Sequence, residues 1–346
     1  MAPGTGSTVQ SVQTVTGPLP VASVRGPVLA HEHLIVDLRR AGDQDAALLP
    51  TMHGAHVTAE LASLRDAFAL ALVIELTCRG MGGDPRVLAR ISDRSGVAVL
   101  AATGWYHEPF HPPEVSAADP DRLTMTLIRE IEQGIMDTAI RPGVIGEVGS
   151  HGERPSPAEE RVLTAAAHAA LTTGLSVATH THLGVGGPAQ LDVLTATGLP
   201  AHRISIGHQD LLQAPAVHRE LAASGAYVAF DTIGKEHYAT DTTRLRLLLA
   251  LLEAGHADRV LLSGDISRHT YLRAEGGQGY GHLFRSFLPR LRAAGVDDDL
   301  IDLMTRRNPI RFLTNNRPTT AAPDNPSPSR AGQQVSAVNW PGRQAR

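Results

Sequence analysis

Two residue types are almost absent from this chain of 346 residues: it carries one cysteine, Cys78, and one lysine, Lys235, among 31 basic side chains. A single cysteine excludes an intramolecular disulfide framework and any cysteine-rich zinc site. A surplus of charge is missing too. The formal net charge is −4, so the overall basic footprint of a nucleic-acid binder is not there. Long apolar runs are also missing: the most apolar stretch, Ala67 to Cys78, is too short to span a bilayer and carries Glu75. Residues 1–25 show no charged segment followed by an apolar run, as a secretory signal would. The expectation is a soluble cytoplasmic protein that binds neither nucleic acid nor membrane and acts on a small molecule, with a homodimer left open.

What is present suffices for a sizeable core, with 42% hydrophobic and 19% charged residues. From about residue 26 to 314, short and nearly continuous apolar runs alternate with helix-like segments. The runs are Pro27–Ala30, Ala71–Thr77, Val97–Thr103, Gly143–Val148, Ser176–Thr179, Ile204–Gly207, Ala226–Phe230 and Val260–Ser263. Continuous apolarity is the mark of parallel strands buried on both faces. Helix punctuation lies between them. Asp119-Pro120 precedes Leu123, Leu127, Ile131 and Ile135, and Ser156-Pro157-Ala158-Glu159 has the form of a capping box with Gly174 at the stop. Eight strands alternating with helices predict an α/β fold of the (β/α)8 TIM-barrel type. A doubly wound sheet would usually carry a Gly-rich phosphate turn after an early strand, and none is seen. Val9 to Val24 reads as a short hairpin over one barrel end. From Asn315 onward Pro, Ser, Asn, Thr and Ala dominate without an apolar period, the pattern of a disordered tail. The expected organisation is thus a segment and hairpin over 1–25, the barrel over 26–314, and a tail over 315–346.

Active sites of such barrels lie at the C-terminal ends of the strands. There the chain places His31-Glu32-His33, then Glu147, then His180 with His182 two residues on, then His208 and Asp265. Period-2 alternation turns His31 and His33 to one side. Each of these residues alone has an ordinary structural reading as a satisfied polar group; their coincidence at one end of one barrel points to a shared ion. Four histidines, a glutamate and an aspartate exceed the needs of one tetrahedral zinc with an open position. They fit two divalent metals about 3.5–4 Å apart that share a carboxylate and a hydroxide. Nitrogen and oxygen ligands of this kind accept zinc, manganese, cobalt or nickel.

The same residues, in this order, resemble the phosphotriesterase family of the amidohydrolase superfamily, and within it the phosphotriesterase-related branch. The stretches that carry the resemblance are Leu29-Ala30-His31-Glu32-His33-Leu34, Val144-Ile145-Gly146-Glu147-Val148-Gly149, Ile206-Gly207-His208-Gln209-Asp210, Phe230-Asp231-Thr232-Ile233-Gly234-Lys235, Leu262-Ser263-Gly264-Asp265-Ile266-Ser267-Arg268, Gly276-Gly277-Gln278-Gly279-Tyr280, and Asn308-Pro309 with Phe312-Leu313. It implies that His31, His33 and Asp265 hold a more buried metal, His180 and His208 a more exposed one, and that Glu147 bridges them. Asp265 would also take a proton from the attacking water, which makes it the expected catalytic residue. In the organophosphate-hydrolysing branch the bridge is a carboxylated lysine. The only lysine here follows strand 7, so Glu147 is the available bridge. The implied activity is hydrolysis of an amide, ester or lactone, or phosphoester of a small anionic substrate. The rivals are an organophosphate or lactone hydrolase of the better-known branch and a non-catalytic metal-binding barrel. Loop residues expected to meet the substrate are Tyr106 beside Trp105, Lys235, Arg244, Arg268 and Tyr280.

Overall fold

The computed structural model describes residues 10–315. The tail expected over 315–346 lies outside the described residues from 316 on, as do residues 1–9 of the N-terminal segment. A hairpin comes first, β1 (Ser11–Thr14) against β2 (Gly17–Pro20). The barrel follows as β3 (Val28–Glu32), β6 (Leu72–Glu75), β7 (Ala98–Thr103), β8 (Val144–Ser150), β9 (Val177–Thr181), β10 (Ile204–Ile206), β11 (Tyr227–Phe230) and β12 (Val260–Leu262). All adjacent pairs in this eight-stranded order are parallel. A small antiparallel pair, β4 (Val36–Asp37) and β5 (Ala47–Leu48), interrupts the first crossover. The eight expected strands are all found, shifted at their ends by one or two residues.

Helices α1 (Pro50–Phe68), α2 (Pro85–Ser95), α3 (Pro113–Ala117), α4 (Pro120–Gln133), α5 (Pro157–Thr173), α6 (Gly187–Ala196), α7 (Pro215–Ala223) and α8 (Asp241–Glu253) surround the sheet, with α9 (Leu288–Ala293), α10 (Asp298–Asp302) and α11 (Asn308–Thr314) after the last strand. Their starts follow from local chemistry. The Asp119 side chain accepts from the Arg122 amide at 2.8 Å to cap α4, and Ser156 and Glu159 exchange hydrogen bonds of 3.2 and 2.9 Å as a full capping box on α5. Helix α4 stops sooner than its apolar spacing suggests. Gly134 at φ +117° ends it, so Ile135 is buried from the following loop rather than from the helix.

The core has two layers. Leu29, Val73, Val99, Ile145, Val177 and Ile206 pack outward against the helices, whereas Val28, Leu72, Leu100, Val144 and Ala178 fill the barrel. The hairpin closes its N-terminal end: Val15 donates to the Val99 carbonyl at 2.9 Å, and Val12 joins the inner layer with Phe312 of α11. The Asn308 side chain ties α11 to the Val260 carbonyl at 2.9 Å. No helix among the described residues is long and apolar enough to cross a membrane.

The ring is closed between β3 and β12 chiefly by one buried side chain. Glu32 accepts from the Ser263 hydroxyl and the Gly264 and Ile266 amides, each at 2.8 Å, and the Asp265 amide donates to the His31 carbonyl at 3.2 Å. The three donors offset only part of the cost of burial, which still pushes the Glu32 carboxyl up to about 7. Glu32→Ala strands those donors at the seam, and unfolding free energy should fall by about 3 kcal/mol or more. Denaturation midpoints measure this; a loss within about 0.5 kcal/mol, as for an ordinary surface change, would show that the seam closes without it.

Candidate metal centre and substrate cavity

Strict alternation along β3 would turn His31 toward the helices, because Ala30 already faces the barrel interior. The register of β3 on β6 slips between Leu29 and Glu32. That irregularity returns His31 and His33 to the inner face and leaves Glu32 for the seam. Strand β8 does the same. Ile145 and Val148 both face outward, and the register on β9 slips between them, so Glu147 enters the barrel. The slip brings backbones so close that a Cβ on Gly146 would stand 2.3 Å from the Ala178 carbonyl oxygen, which only glycine avoids. His208 and Asp265 are aimed in another way. Both take left-handed backbone angles, φ +56° and +49°, a conformation that costs a non-glycine residue about 1 kcal/mol.

These side chains meet on the cavity floor. Glu147 Oε1 lies 3.2 Å from His33 Nε2, and its Oε2 lies 3.4 Å from His31 Nε2, 3.3 Å from His180 Nδ1 and 3.7 Å from His208 Nε2. Asp265 Oδ1 is 3.3 Å from His33 Nε2 and 4.0 Å from His31 Nε2. Two trios have ligand atoms close enough for one ion: His31, His33 and Asp265, and His31, Glu147 and His208. The donor set fits a metal on a further count. Among the described residues, His31 Nε2 and Glu147 Oε2 are buried and have no hydrogen-bond partner, a costly state for two polar atoms unless something else binds them.

Carboxylates and hydroxyls behind the cluster orient it. Asp231 at the end of β11 accepts from His31 Nδ1 at 2.7 Å and from His208 Nδ1 and the His208 amide at 2.9 and 2.8 Å. Thr77 Oγ1 lies 2.8 Å from His33 Nδ1 and itself donates to Glu75 at 2.5 Å. Gln190 donates to the His180 carbonyl at 2.6 Å. Asp231, Glu75 and Thr77 were not among the expected site residues. Asp231 was within reach of sequence reasoning, since it is a carboxylate at a strand end like the others. Glu75 bears the same mark as the carboxylate that ends β6, whereas Thr77 bears none.

A cavity of about 290 Å³ opens above this floor. Of the expected substrate contacts, Tyr106, Lys235 and Arg268 line it, and His182 does as well. The Tyr106 hydroxyl lies 3.1 Å from His180 Nδ1. The Lys235 ammonium contacts Asp265 Oδ2 and reaches Ser267 Oγ at 3.3 Å. Arg268 makes a two-pronged pair with Asp43 at 2.9 and 2.8 Å. Arg244 and Tyr280, expected to meet the substrate, do not line the cavity. Arg244 is fully buried in the first turn of α8, where Asp210 takes its Nε at 2.7 Å, Asp241 its Nη1 at 3.3 Å and the Lys235 carbonyl its Nη2 at 3.1 Å. It secures the loop that carries Lys235. Tyr280 lies behind the site and donates to the His33 carbonyl at 2.7 Å. Trp105 is buried beneath Arg79 and lies off the cavity. His107 and His151 line the cavity unexpectedly, with His107 stacked on His180 at 5.2 Å and His151 on His182 at 4.0 Å.

The electrostatics are those of a cation-seeking site. Burial alone would push the Glu147, Asp231 and Asp265 carboxyls up; the surrounding histidines, and Lys235 for Asp265, hold all three well below the usual carboxylate range. Burial also opposes charge on His31, His33 and His208, yet these same carboxylates raise each to about 10. His180 goes the other way, to about 4, because burial outweighs Glu147.

A barrel whose C-terminal mouth gathers histidines and carboxylates around unsatisfied ligand atoms defines a class of barrel hydrolases. This chain belongs to the phosphotriesterase family, whose profile matches residues 10–313. It is 37% identical over 288 residues to the Escherichia coli phosphotriesterase homology protein, covering 83% of this chain and 98% of that one. The crystal structure of that protein, complexed with phosphate in the active site, aligns with a TM-score of 0.81 over 84% of this chain and 99% of its own. Human N-acetyltaurine hydrolase is 30% identical over 255 residues, 70% of this chain and 72% of the relative. Organophosphorus hydrolase from Deinococcus radiodurans is 32% identical with a TM-score of 0.79, over 90% of this chain and all of that one. These relatives support a hydrolase.

The raised histidines give a pH dependence to the metal-free protein. Groups with folded pKa values of about 10 against 6.5 stabilise fully below pH 6.5 and lose that contribution as pH rises toward 10. Chelator-treated protein should therefore melt at progressively lower temperature across that window. A melting temperature that stays flat or climbs would contradict the charge network.

Proposed function

We propose that this protein is a metal-dependent hydrolase of a small anionic substrate that carries an amide, ester or lactone, or phosphoester bond. The observation that carries this reading is the gathering of His31, His33, Glu147, His180, His208 and Asp265 in one buried cluster, in which His31 Nε2 and Glu147 Oε2 have no hydrogen-bond partner among the described residues. Two divalent ions, zinc being the first candidate, would be held with His31, His33 and Asp265 on one side, His180 and His208 on the other, and Glu147 between them. Such ions supply an acidified water and polarise the oxygen of the scissile group.

The remaining work belongs to the chain. Asp265 accepts the proton that the attacking water loses, and the Lys235 ammonium keeps that carboxylate ionised beforehand. Tyr106 stands over His180 and narrows the floor. Outside the ligand set, the charged residues lining the cavity are Lys235 and Arg268, which supports an anionic group on the substrate. The phosphate bound by the E. coli relative and the name of the N-acetyltaurine hydrolases agree with that preference. The small cavity volume favours a compact molecule.

The test is a panel of N-acyl amino acids and amino-sulfonates, lactones and phosphoesters, run on protein reloaded with zinc or manganese. At least one class should turn over, and chelation should abolish it. Glu147→Ala should lose most of its metal and at least about a hundredfold in rate, the scale of losing a principal electrostatic group. Full metal and full rate in that variant would defeat the bridge. Lys235→Met should raise KM for the anionic substrate by about tenfold or more, the worth of one charge-assisted hydrogen bond; an unchanged KM would remove Lys235 from substrate binding.

A further inference from the structure

The two halves of the metal-ligand set share one supporting carboxylate. Asp231 is 1% exposed, and its two oxygens are divided between them: Oδ2 takes His31 Nδ1 at 2.7 Å and Oδ1 takes His208 Nδ1 at 2.9 Å. The His208 amide adds a third donor at 2.8 Å. The two imidazoles are inclined at 30°, with ring centroids 5.2 Å apart. An acceptor on each Nδ1 holds a proton there, so that once Nε2 has shed its own proton it is Nε2 that offers a lone pair to an ion. By contrast, the support behind His33 is its own, through Thr77 and Glu75, and His180 is braced through its carbonyl by Gln190.

We propose that Asp231 is the positioning residue that couples the two metal sites: it fixes the tautomer and tilt of one ligand histidine from each half, so that filling one site orders the other. This inference rests on the binuclear reading above. Ordering costs fall on the first ion. The second meets a histidine already locked through the common carboxylate, which makes loading cooperative. Asp231 also adds a negative charge beside the centre without entering it, which favours the doubly loaded state.

The substitution chemistry separates this role from packing. Asparagine is isosteric but has one acceptor oxygen. Turned toward His208, it keeps that ring and amide satisfied and presents an NH2 group to His31 Nδ1. The amide then selects the tautomer protonated on Nε2, which cannot bind a metal. The reverse orientation disables His208. Either way Asp231→Asn should retain one site and lose the other.

The experiment is titration of the metal-free protein with cobalt(II), followed by its visible absorption and by metal analysis after desalting, with circular dichroism confirming the fold. Wild type should take up two equivalents cooperatively. Asp231→Asn should retain close to one, with the second weakened by about 10–100-fold, the usual scale for losing an outer-shell partner. Thr77→Val, which among the ligand histidines touches only His33, should weaken uptake while leaving it cooperative. Two equivalents bound cooperatively by Asp231→Asn with wild-type affinity would overturn the coupling, as would loss of cooperativity in Thr77→Val alone. A wild-type protein that binds no cobalt would instead defeat the binuclear reading on which this rests.

Discussion

The mouth of this barrel is organised around a buried carboxylate that must face four imidazoles at once. Glu147 is 2% exposed, and one of its oxygens lies within 3.7 Å of three histidine nitrogens. Glutamate is a short side chain, so the backbone of β8 has to come to the histidines. That demand accounts for the register slip between Ile145 and Val148 and for a glycine at 146, where β8 presses on the Ala178 carbonyl. A carboxylated lysine would reach the same point from farther away. No lysine stands on β8, and the local geometry of that strand carries Glu147 to the histidines instead.

Around this centre the protein spends its other buried charges on orientation. Glu32 closes the barrel seam beside the first histidine pair, Glu75 acts through Thr77 on His33, and Asp231 serves His31 and His208 together. Arg244, sealed between Asp210 and Asp241, fixes the loop bearing Lys235. A buried ion group is a weak source of net stability. It is a strong source of specified geometry here, because each carboxylate has several donors and no freedom to satisfy them otherwise. The left-handed backbone at His208 and Asp265 belongs to the same pattern: local strain is tolerated where the surroundings hold it.

The cavity above is chemically uneven. Imidazoles from the β7, β8 and β9 loops form one wall, stacked from His180 through His107 and His151 to His182. Lys235 and Arg268 line the same cavity.

The sequence by itself determined the eight-strand alternation, because parallel strands buried on both faces leave continuous apolar runs, and it marked the six ligand-type residues, because the histidines and Asp265 fall at strand ends and Glu147 is an acid inside an apolar run. It also settled that no lysine could bridge at β8. It did not reveal which way His31 and Glu147 face: one slipped residue reverses every side chain beyond it, and bulges leave no compositional trace. Nor could it separate Lys235, which reaches the cavity, from Arg244 nine residues later, which turns into the protein because two aspartates from different elements wait there. Asp231 was visible as a strand-end carboxylate, but its service to two histidines 200 and 23 positions away arises only when the barrel closes. Strand identity is written in local chemistry; the facing of a side chain and its partners are properties of the closed ring.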